Sequence, residues 1–165
     1  MEDLPRQAAR LARILGEEFH GCAQITLKSL QESFGMTNIE AFKAASPLSG
    51  GVAESGEVCG ALLGSLLFVG MIFGRRRLEF AVTSEDYLKA IEVAEKIYDE
   101  FKEEFGTTMC REIHKKLFGR TYNLRDQKDF KEFLESGSAN KCAEVMSKAA
   151  EIAAKNILKA GYRIR

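Results

Sequence analysis

The sequence predicts an all-α fold, and three observations lead to that prediction. Apolar residues recur at three- and four-residue steps through most of the 165 residues. Glycine, serine, threonine and asparagine stand at the ends of these periodic segments, where such residues cap or end helices. The segment 58–74 carries no charge and has the continuous apolar character of a buried helix. We expect a single domain over residues 1–165, a helical bundle of about six to eight helices around this buried, glycine-containing apolar helix.

The predicted helices follow one another along the chain with short breaks. Ser55 is expected to cap the apolar helix, and Ser84 is expected to cap the long helix after it. Residues 78–82 could be extended, but a single extended piece makes no sheet. The predicted helices cover about 4–15, 22–34, 38–46, 58–74, 85–105, 109–118, 127–135 and 141–157.

The balance of charges argues against a general nucleic-acid binder. The chain has 24 Lys and Arg residues and 24 Asp and Glu residues, so its formal net charge is zero. A nucleic-acid binder needs a basic face that neutralises phosphates. The short basic runs at 75–77 and 163–165 are more typical of a solvated helix end and a terminus.

The apolar segment and the N-terminus bear on where the protein works. The segment 58–74 has 17 residues. A membrane span needs about 20 residues, and we therefore expect none here. The N-terminus begins with acidic residues and has no apolar signal region. We therefore expect a cytoplasmic protein, and in that compartment cysteines are more typical of metal ligands or exchangeable thiols than of permanent disulfides.

Four cysteines, each expected near the start of a helix, are the candidate functional residues. Free amide groups and the positive end of the helix dipole lower a thiol pKa there and favour the thiolate, which binds metals and attacks disulfides. No two cysteines form a CxxC pair, so only the fold could bring them together. The alternative is that each packs as a small hydrophobic residue. The four are Cys22, Cys59, Cys110 and Cys142.

The cysteines lie within segments that share a pattern of glycine and cysteine. These are Cys22-Ala-Gln, Gly50-Gly51, Gly56-Glu-Val-Cys-Gly-Ala-Leu-Leu-Gly64, Gly106-Thr-Thr-Met-Cys-Arg-Glu-Ile113 and Cys142-Ala. Together they resemble the family of redox-active proteins named for the pattern C_GCAxxG_C_C. The resemblance extends over about residues 20–155, and the four cysteines of the pattern map onto the only four in this chain.

The resemblance implies a redox function that depends on the cysteines. A related domain occurs in split-Soret-type cytochromes, where an iron–sulfur cluster accompanies the haems. This chain has no C-x-x-C-H haem attachment site, so covalent haem is not expected. It also lacks a P-loop and an HExxH motif, and it offers no Ser-His-Asp set, which leaves hydrolase and nucleotide-binding functions without support.

Three functions stay open at this point. In the first, the four cysteines bind a [2Fe–2S] cluster or another metal such as zinc, and the protein transfers electrons. In the second, two or more cysteines cycle between thiol and disulfide. In the third, the domain is structural or binds a partner, and it holds buried cysteines without a cofactor. For the redox functions we expect a redox partner protein or a small thiol or electron donor. Whether the chain is an enzyme and whether it forms a homodimer are both left open.

Four further residues are candidates for contact with a bound group. Gly60 and Gly64 have a GxxxG spacing that removes side chains from one helix face, so that another helix or a bound group can approach closely. His114 lies four residues after Cys110 on the same helical face, where it could act as a ligand, thiolate partner or proton donor. An exposed or half-buried position without a role at the site is the commoner case for such a histidine. Arg111 could hold a thiolate, although a surface ion pair is the commoner use of such an arginine.

Overall fold

The computed structural model describes residues 3–164, and these residues form an all-α fold as predicted. Two short 3₁₀ turns, Ser46–Leu48 and Ala81–Thr83, interrupt the connections on either side of the apolar helix. Within the described residues, the extended pairing is limited to an isolated bridge between Val58 and Met109. The helices are α1 (Leu4–Glu18), α2 (Cys22–Ser33), α3 (Ile39–Ala44), α4 (Gly60–Phe73), α5 (Glu85–Phe105), α6 (Cys110–Phe118), α7 (Gln127–Glu135) and α8 (Ser138–Lys159).

The apolar helix α4 lies at the centre of the bundle, as the sequence predicts. It packs against α2, α5 and α8, and its side chains Leu62 and Phe68 are completely buried. Gly64 allows α2 to approach closely, because a Cβ at this position would overlap the carbonyl oxygen of Ala23 on α2. A helix that is apolar on all sides is stable in water when other helices cover it, and here they do. Within residues 3–164, no helix combines the length and apolar character that crossing a membrane requires.

The helices α1 and α8 pack along each other and close the other side of the core. Small residues make this contact close: Ala8 and Ala12 are completely buried, and a Cβ at Gly16 would lie 2.9 Å from the Cβ of Ala143. The long helix α8 also contacts α2, α4 and α5. It therefore connects the central helix to the outer ones and gives the bundle its continuous hydrophobic core.

The predicted cap of the apolar helix is wrong, because α4 begins later than Ser55. Cys59 itself is the N-cap residue, and the Ser55 hydroxyl donates a hydrogen bond to the carbonyl oxygen of Gly51 instead. Residues 50–56 form a compact turn of their own before the helix starts. The serine is therefore used within the turn and is not free to cap the helix.

Cys142 is the one cysteine that does not lie at a helix start. The helix α8 begins at Ser138, directly after Gly137, which has a positive φ of 83°. Neither Ser138 nor Asn140 caps the helix, and Cys142 falls in its second turn. The expectation that all four cysteines begin helices is therefore wrong for Cys142, because the helix extends one turn further toward the N-terminus than its apolar pattern.

Candidate redox site

All four cysteines line one cavity of about 320 Å³. Each comes from a different helix: Cys22 is the first residue of α2, Cys59 is the N-cap of α4, and Cys110 is the first residue of α6. Cys142 completes the set from the second turn of α8. The fold thus gathers side chains that are up to 120 positions apart in the sequence, from Cys22 to Cys142.

The four thiols are close enough to influence one another electrostatically in every pairwise combination. His114 lies between two of the thiols: its Nε2 is 3.6 Å from Cys110 Sγ and 3.9 Å from Cys142 Sγ. All four cysteines are free thiols. Between residues 3 and 164, no group of three or more Cys, His, Asp or Glu side chains is drawn together tightly enough to hold a metal ion. The thiols therefore surround the cavity without meeting at one point.

Gly60 makes room for the sulfur of Cys22. A Cβ at Gly60 would overlap Cys22 Sγ, and it would also lie 3.0 Å from the carbonyl oxygen of Leu48. Gly64, one turn further along α4, accommodates the backbone of α2 and lies outside the cavity lining. The glycine spacing was expected to let either another helix or a bound group approach α4 closely. In the structure the helix α2 makes this close approach. A role of either glycine in binding a cofactor stays a prediction.

The backbone at residues 50–54 adopts an unusual left-handed turn beside the cysteines. Gly50 and Gly51 have φ values of 64° and 73°, and Val52, Ala53 and Glu54 continue with 64°, 50° and 58°. The left-handed conformation costs a non-glycine residue roughly 1–2 kcal/mol, so three in succession store strain. Strain of this kind persists only where surrounding contacts enforce it.

Two contacts of this turn connect it to the cysteines. The backbone amide of Gly50 lies close to the Cys22 sulfur and lowers the pKa of its thiol. A Cβ at Gly51 would lie 2.7 Å from the Cβ of Cys110 and 2.6 Å from the backbone nitrogen of Glu57. Glycine at position 51 therefore permits both the positive φ and the close passage of Cys110. The paired glycines in the sequence predict a tight turn at this place, and the structure confirms it.

A short ladder of backbone hydrogen bonds fixes Cys59 beside Cys110. The amide of Cys59 donates to the carbonyl of Thr108 at 2.8 Å, and the amide of Cys110 donates to the carbonyl of Glu57 at 2.6 Å. The amide of Arg111 then donates to the carbonyl of Gly56 at 3.0 Å. Since backbone atoms make these bonds, the two cysteines are held in place independently of their own side chains.

Burial raises the pKa of all four thiols above the usual value for cysteine. For Cys59 desolvation is the largest cause, and repulsion from Cys22 and Cys110 adds to it. For Cys110 and Cys142 the order is the same, burial first and then the neighbouring thiols. The expected bias toward thiolate is therefore wrong for the protein without a bound cation. Helix starts favour the charged thiolate, but loss of water opposes it more strongly.

Backbone amides at the helix starts nevertheless point toward two of the sulfurs. The amides of Gly50, Ala23 and Gly60 lie close to the Cys22 sulfur and lower the pKa of its thiol against the effect of burial. The amides of Ala61 and Leu62 do the same for Cys59. The predicted influence of the helix starts is therefore present, although desolvation exceeds it.

His114 is a buried, neutral imidazole against the thiols. Its ring stacks on Phe133 with a centroid distance of 4.9 Å, and it meets the edge of Phe118 at 5.5 Å. Burial lowers the pKa of His114 to about 4, so at neutral pH one ring nitrogen lacks a proton. Because Nε2 faces the sulfurs of Cys110 and Cys142, this histidine is in position to exchange a hydrogen bond with either of them.

Arg111 lies outside the cavity lining. Its guanidinium forms an ion pair with Glu57 at 2.5 Å, and about half of its side chain is exposed. The pKa of Arg111 is raised by this hydrogen bond and by the charge of Glu57. Arg111 thus forms a surface ion pair, the commoner of the two uses considered from the sequence. A role in holding a thiolate stays a prediction.

The cavity also contains residues that the sequence did not single out. The connection between α3 and α4 contributes Ser49 and Glu54, and the connection between α6 and α7 contributes Leu124. Phe130 and Phe133 come from α7. None of them belongs to a motif, and ordinary amphipathic spacing explains the two phenylalanines equally well. The contact of Phe133 with His114 brings α7 to the site, and only the tertiary structure shows it.

These features define a helical protein with four cysteines around one cavity. A comparison with known protein families agrees with the pattern of the four cysteines. Residues 20–156 match the family model described as "Putative redox-active protein (C_GCAxxG_C_C)", and the chain belongs to this family. It is also 27% identical over 157 residues to an uncharacterized protein of Archaeoglobus fulgidus, covering 92% of this chain and 93% of that protein. No solved structure matches the chain.

Proposed function

We propose that the protein is an electron carrier whose four cysteines hold a [2Fe–2S] cluster in the shared cavity. The observation that carries this proposal is the convergence of Cys22, Cys59, Cys110 and Cys142 from four helices on one cavity. Four cysteine thiolates are the usual ligand set of such a cluster, and a bound cluster would supply one-electron chemistry. Membership of a redox-active family supports the same general function.

The electrostatics of the cavity favour a bound cation over four free thiolates. Burial and mutual repulsion keep the thiols protonated on their own, as the raised pKa values indicate. A metal cation displaces those protons because it replaces the missing stabilisation of the negative charge. The amides of Gly50, Gly60, Ala61 and Leu62 then serve as hydrogen-bond donors to the ligand sulfurs, and such donors help set the reduction potential.

The spacing of the thiols favours a cluster over a single zinc ion. A zinc ion needs four sulfurs at about 2.3 Å from one centre, which requires a compact group. The described residues contain no such compact group, and the thiols instead surround a cavity of about 320 Å³. A multi-atom cofactor suits this arrangement better, since its ligands are distributed over two metal ions.

Measuring iron and acid-labile sulfide in protein purified without oxygen tests the proposal. We expect about two irons and two sulfides per chain and visible absorbance that bleaches on reduction. Single variants Cys22→Ser, Cys59→Ser, Cys110→Ser and Cys142→Ser should each lose most of the iron. Ser46→Ala, at the exposed rim of the same cavity, is the matched control and should retain it.

The results separate the proposal from its rivals. Zinc at one per chain without iron would replace the cluster by a single metal ion. A protein that binds no metal after anaerobic reconstitution with iron and sulfide would rule the proposal out. We place this function in the cytoplasm, with a protein or a small electron donor as partner, because thiols remain reduced in that compartment.

Thiol–disulfide exchange is the second candidate, and the position of His114 favours it. Its Nε2 contacts both Cys110 Sγ and Cys142 Sγ, so it could accept a proton from either thiol. Forming a disulfide between them would release two protons and pass two electrons to a disulfide acceptor, which becomes two thiols. The raised pKa values oppose this candidate, because the thiolate is the attacking form.

Mass spectrometry distinguishes the two candidates. Metal-free protein is incubated with oxidised glutathione, and the intact mass is measured after the excess is removed. Loss of two hydrogens from the intact mass in the wild type but not in Cys142→Ser would support exchange. An unchanged mass with all four thiols still countable after unfolding would leave the cluster as the sole redox group.

A further inference from the structure

One side of the central helix α4 is only partly covered by the rest of the chain. Leu63, Leu66, Leu67 and Gly70 follow one another at steps of three and four residues, so they form one stripe along the helix. The three leucines are half-buried, and Gly70 is exposed. A Cβ at Gly70 would meet no atom within 4 Å. The most apolar helix of the bundle thus keeps an apolar stripe at the surface.

The neighbouring helix α5 carries a second apolar stripe. Leu88, Ile91 and Tyr98 lie on one flank of this helix, at steps of three and seven residues, and all three are exposed. The core-facing side of α5 is separate from this flank and contains the buried residues Ile97 and Phe101. The flank therefore presents apolar side chains that the core of the bundle does not use.

The two stripes face the same way, because both point away from α8. On α4, the Ser65 hydroxyl donates a hydrogen bond to a backbone carbonyl of α8 at 3.4 Å, and Leu63 lies about 200° around the helix from Ser65. On α5, Glu104 interacts electrostatically with Lys148 of α8, and Ile91 lies about 140° around the helix from Glu104. Since α4 and α5 pack against each other, their stripes form one surface on the side opposite α8.

The connection between α4 and α5 adds to this surface. Arg75 holds the connection in place, since its guanidinium donates a hydrogen bond to the carbonyl of Glu79 at 2.7 Å and lies 4.9 Å from the centre of the Tyr87 ring. The connection carries the three most exposed large hydrophobic side chains among the described residues: Leu78, Phe80 and Val82. An exposed apolar patch that is continuous over several elements is typical of a contact with another macromolecule.

The charges at this surface form two groups of opposite sign. Residues 75–79 comprise three arginines and one glutamate, and the exposed Arg76 has no ion pair with any described residue. On α5, the exposed Glu95 and Asp99 lie beside the apolar stripe, and within residues 3–164 neither has a cationic partner. The carboxylates would repel an anionic membrane or a nucleic acid. A second copy of the chain offers a carboxylate to the arginine and an arginine to the carboxylates.

We propose that this surface joins two copies of the chain in a two-fold symmetric dimer. The two α5 helices cross in opposite directions near Ile91, so Phe80 of one copy packs beside Tyr98 of the other, and Arg76 faces Glu95. Each contact occurs twice, as two-fold symmetry requires. Because charged side chains lose water on contact, we expect a weak dimer with a Kd of about 10–100 µM, and dilute protein remains monomeric. The proposal goes beyond the electron-carrier function and does not depend on a metal.

Sedimentation velocity of the protein as purified tests this proposal over about 5–500 µM, a range that brackets the expected Kd. The mass should rise from that of one chain toward twice that value. Phe80→Asp and Leu88→Asp each place a charge in the apolar contact and should weaken association at least tenfold. Both positions are exposed, and an acidic residue in the first turn of α5 favours the helix, so the variants should fold.

Ile14→Asp is the matched control for Leu88→Asp. Ile14 lies on α1 and is 46% exposed, against 47% for Leu88, but α1 packs along α8 and lies outside the proposed contact. Association of Ile14→Asp should equal that of the wild type. Circular dichroism of all variants checks that their helix content is unchanged.

A charge exchange tests the antiparallel arrangement. Arg76→Glu and Glu95→Arg should each weaken association about three- to tenfold, because like charges then face each other across the contact. The double variant should regain most of the wild-type affinity, since each arginine again faces a glutamate. Weakening in both single variants without recovery in the double variant would overturn this arrangement of the two copies.

The remaining outcomes decide the proposal as a whole. A protein that stays monomeric at every concentration would overturn it, and so would a dimer that neither Phe80→Asp nor Leu88→Asp weakens. Monomeric protein that floats with vesicles of phosphatidylcholine and phosphatidylserine would assign the surface to a membrane instead. Iron is measured in the same samples: a dimer without iron would overturn the cluster alone, and an iron-containing monomer would overturn the dimer alone.

Discussion

The two ends of α4 show how differently the same helix is used. At its N-terminal end, Cys59 is 7% exposed, and the connection before it forms a strained turn in which Gly50 lies beside Cys22 and Gly51 beside Cys110. At its C-terminal end the following connection extends into solvent, with Leu78 92% and Phe80 75% exposed. The backbone is strained only at the first end. Backbone strain thus lies where the candidate site lies, whereas the other connection has an open, exposed conformation.

The largest expected contrast comes from removing one phenylalanine at each end. Phe133→Ala deletes a buried ring that stacks on His114 and should lower the free energy of unfolding by about 3 kcal/mol. Phe80→Ala removes a ring that is mostly in water and should change it by less than about 0.5 kcal/mol. Urea denaturation of both variants measures the difference, and similar values would contradict the contrast.

A smaller effect is expected from adding one methyl group at each end of α4. Gly60→Ala places a Cβ against Cys22 Sγ and should destabilise the protein by about 2 kcal/mol. Gly70→Ala meets open space within the same helix and should stabilise it by about 0.5–1 kcal/mol. Thermal unfolding of the two variants gives the sign of each change. Stabilisation by Gly60→Ala would mean that α2 and α4 are not in close contact.

A change of pH should also act on the cysteine end. The folded protein without metal raises the pKa of its thiols, so above pH 9 the unfolded chain loses protons that the folded chain keeps. The free energy of unfolding therefore falls as the pH rises above 9, by about 1 kcal/mol per thiol at pH 10. Unfolding of metal-free wild type and Cys142→Ala at pH 8 and pH 10 measures this loss. An identical loss in both proteins would show that Cys142 does not contribute.

The smallest expected effect concerns the strain in the left-handed turn. Ala53→Gly relieves a φ of 50° and should stabilise the protein by about 0.5 kcal/mol, after the greater flexibility of glycine in the unfolded chain is subtracted. The carbonyl of Ala53, which accepts two hydrogen bonds from Arg125, is retained in this variant. Ala81→Gly in the other connection has no positive φ to relieve and should be neutral or destabilising. Denaturant titration decides between the two signs, and destabilisation by Ala53→Gly would show that the turn is not strained.

The sequence predicted the helices well because their signals are local. Ser84 caps α5 as expected, and Asn38 caps α3, since each donor and acceptor lies within one turn of the cap. The buried position of α4 was also predictable, because a helix without charges must be covered. The start of α8 was not predictable from apolar spacing, since its first turn consists of Ser138, Ala139 and Asn140.

The candidate site was predictable only in part. The sequence by itself determined which four thiols are present, and it correctly predicted that three of them begin or cap helices. It also predicted that Gly60 leaves room on its helix face, and that room holds the sulfur of Cys22. The tertiary structure alone decided that these thiols share a cavity with Ser49 and Leu124, and that burial raises their pKa values. The physical reason is that helix periodicity and capping depend on neighbours along the chain. Desolvation and cavity shape depend on elements that are distant in sequence and meet only in the fold.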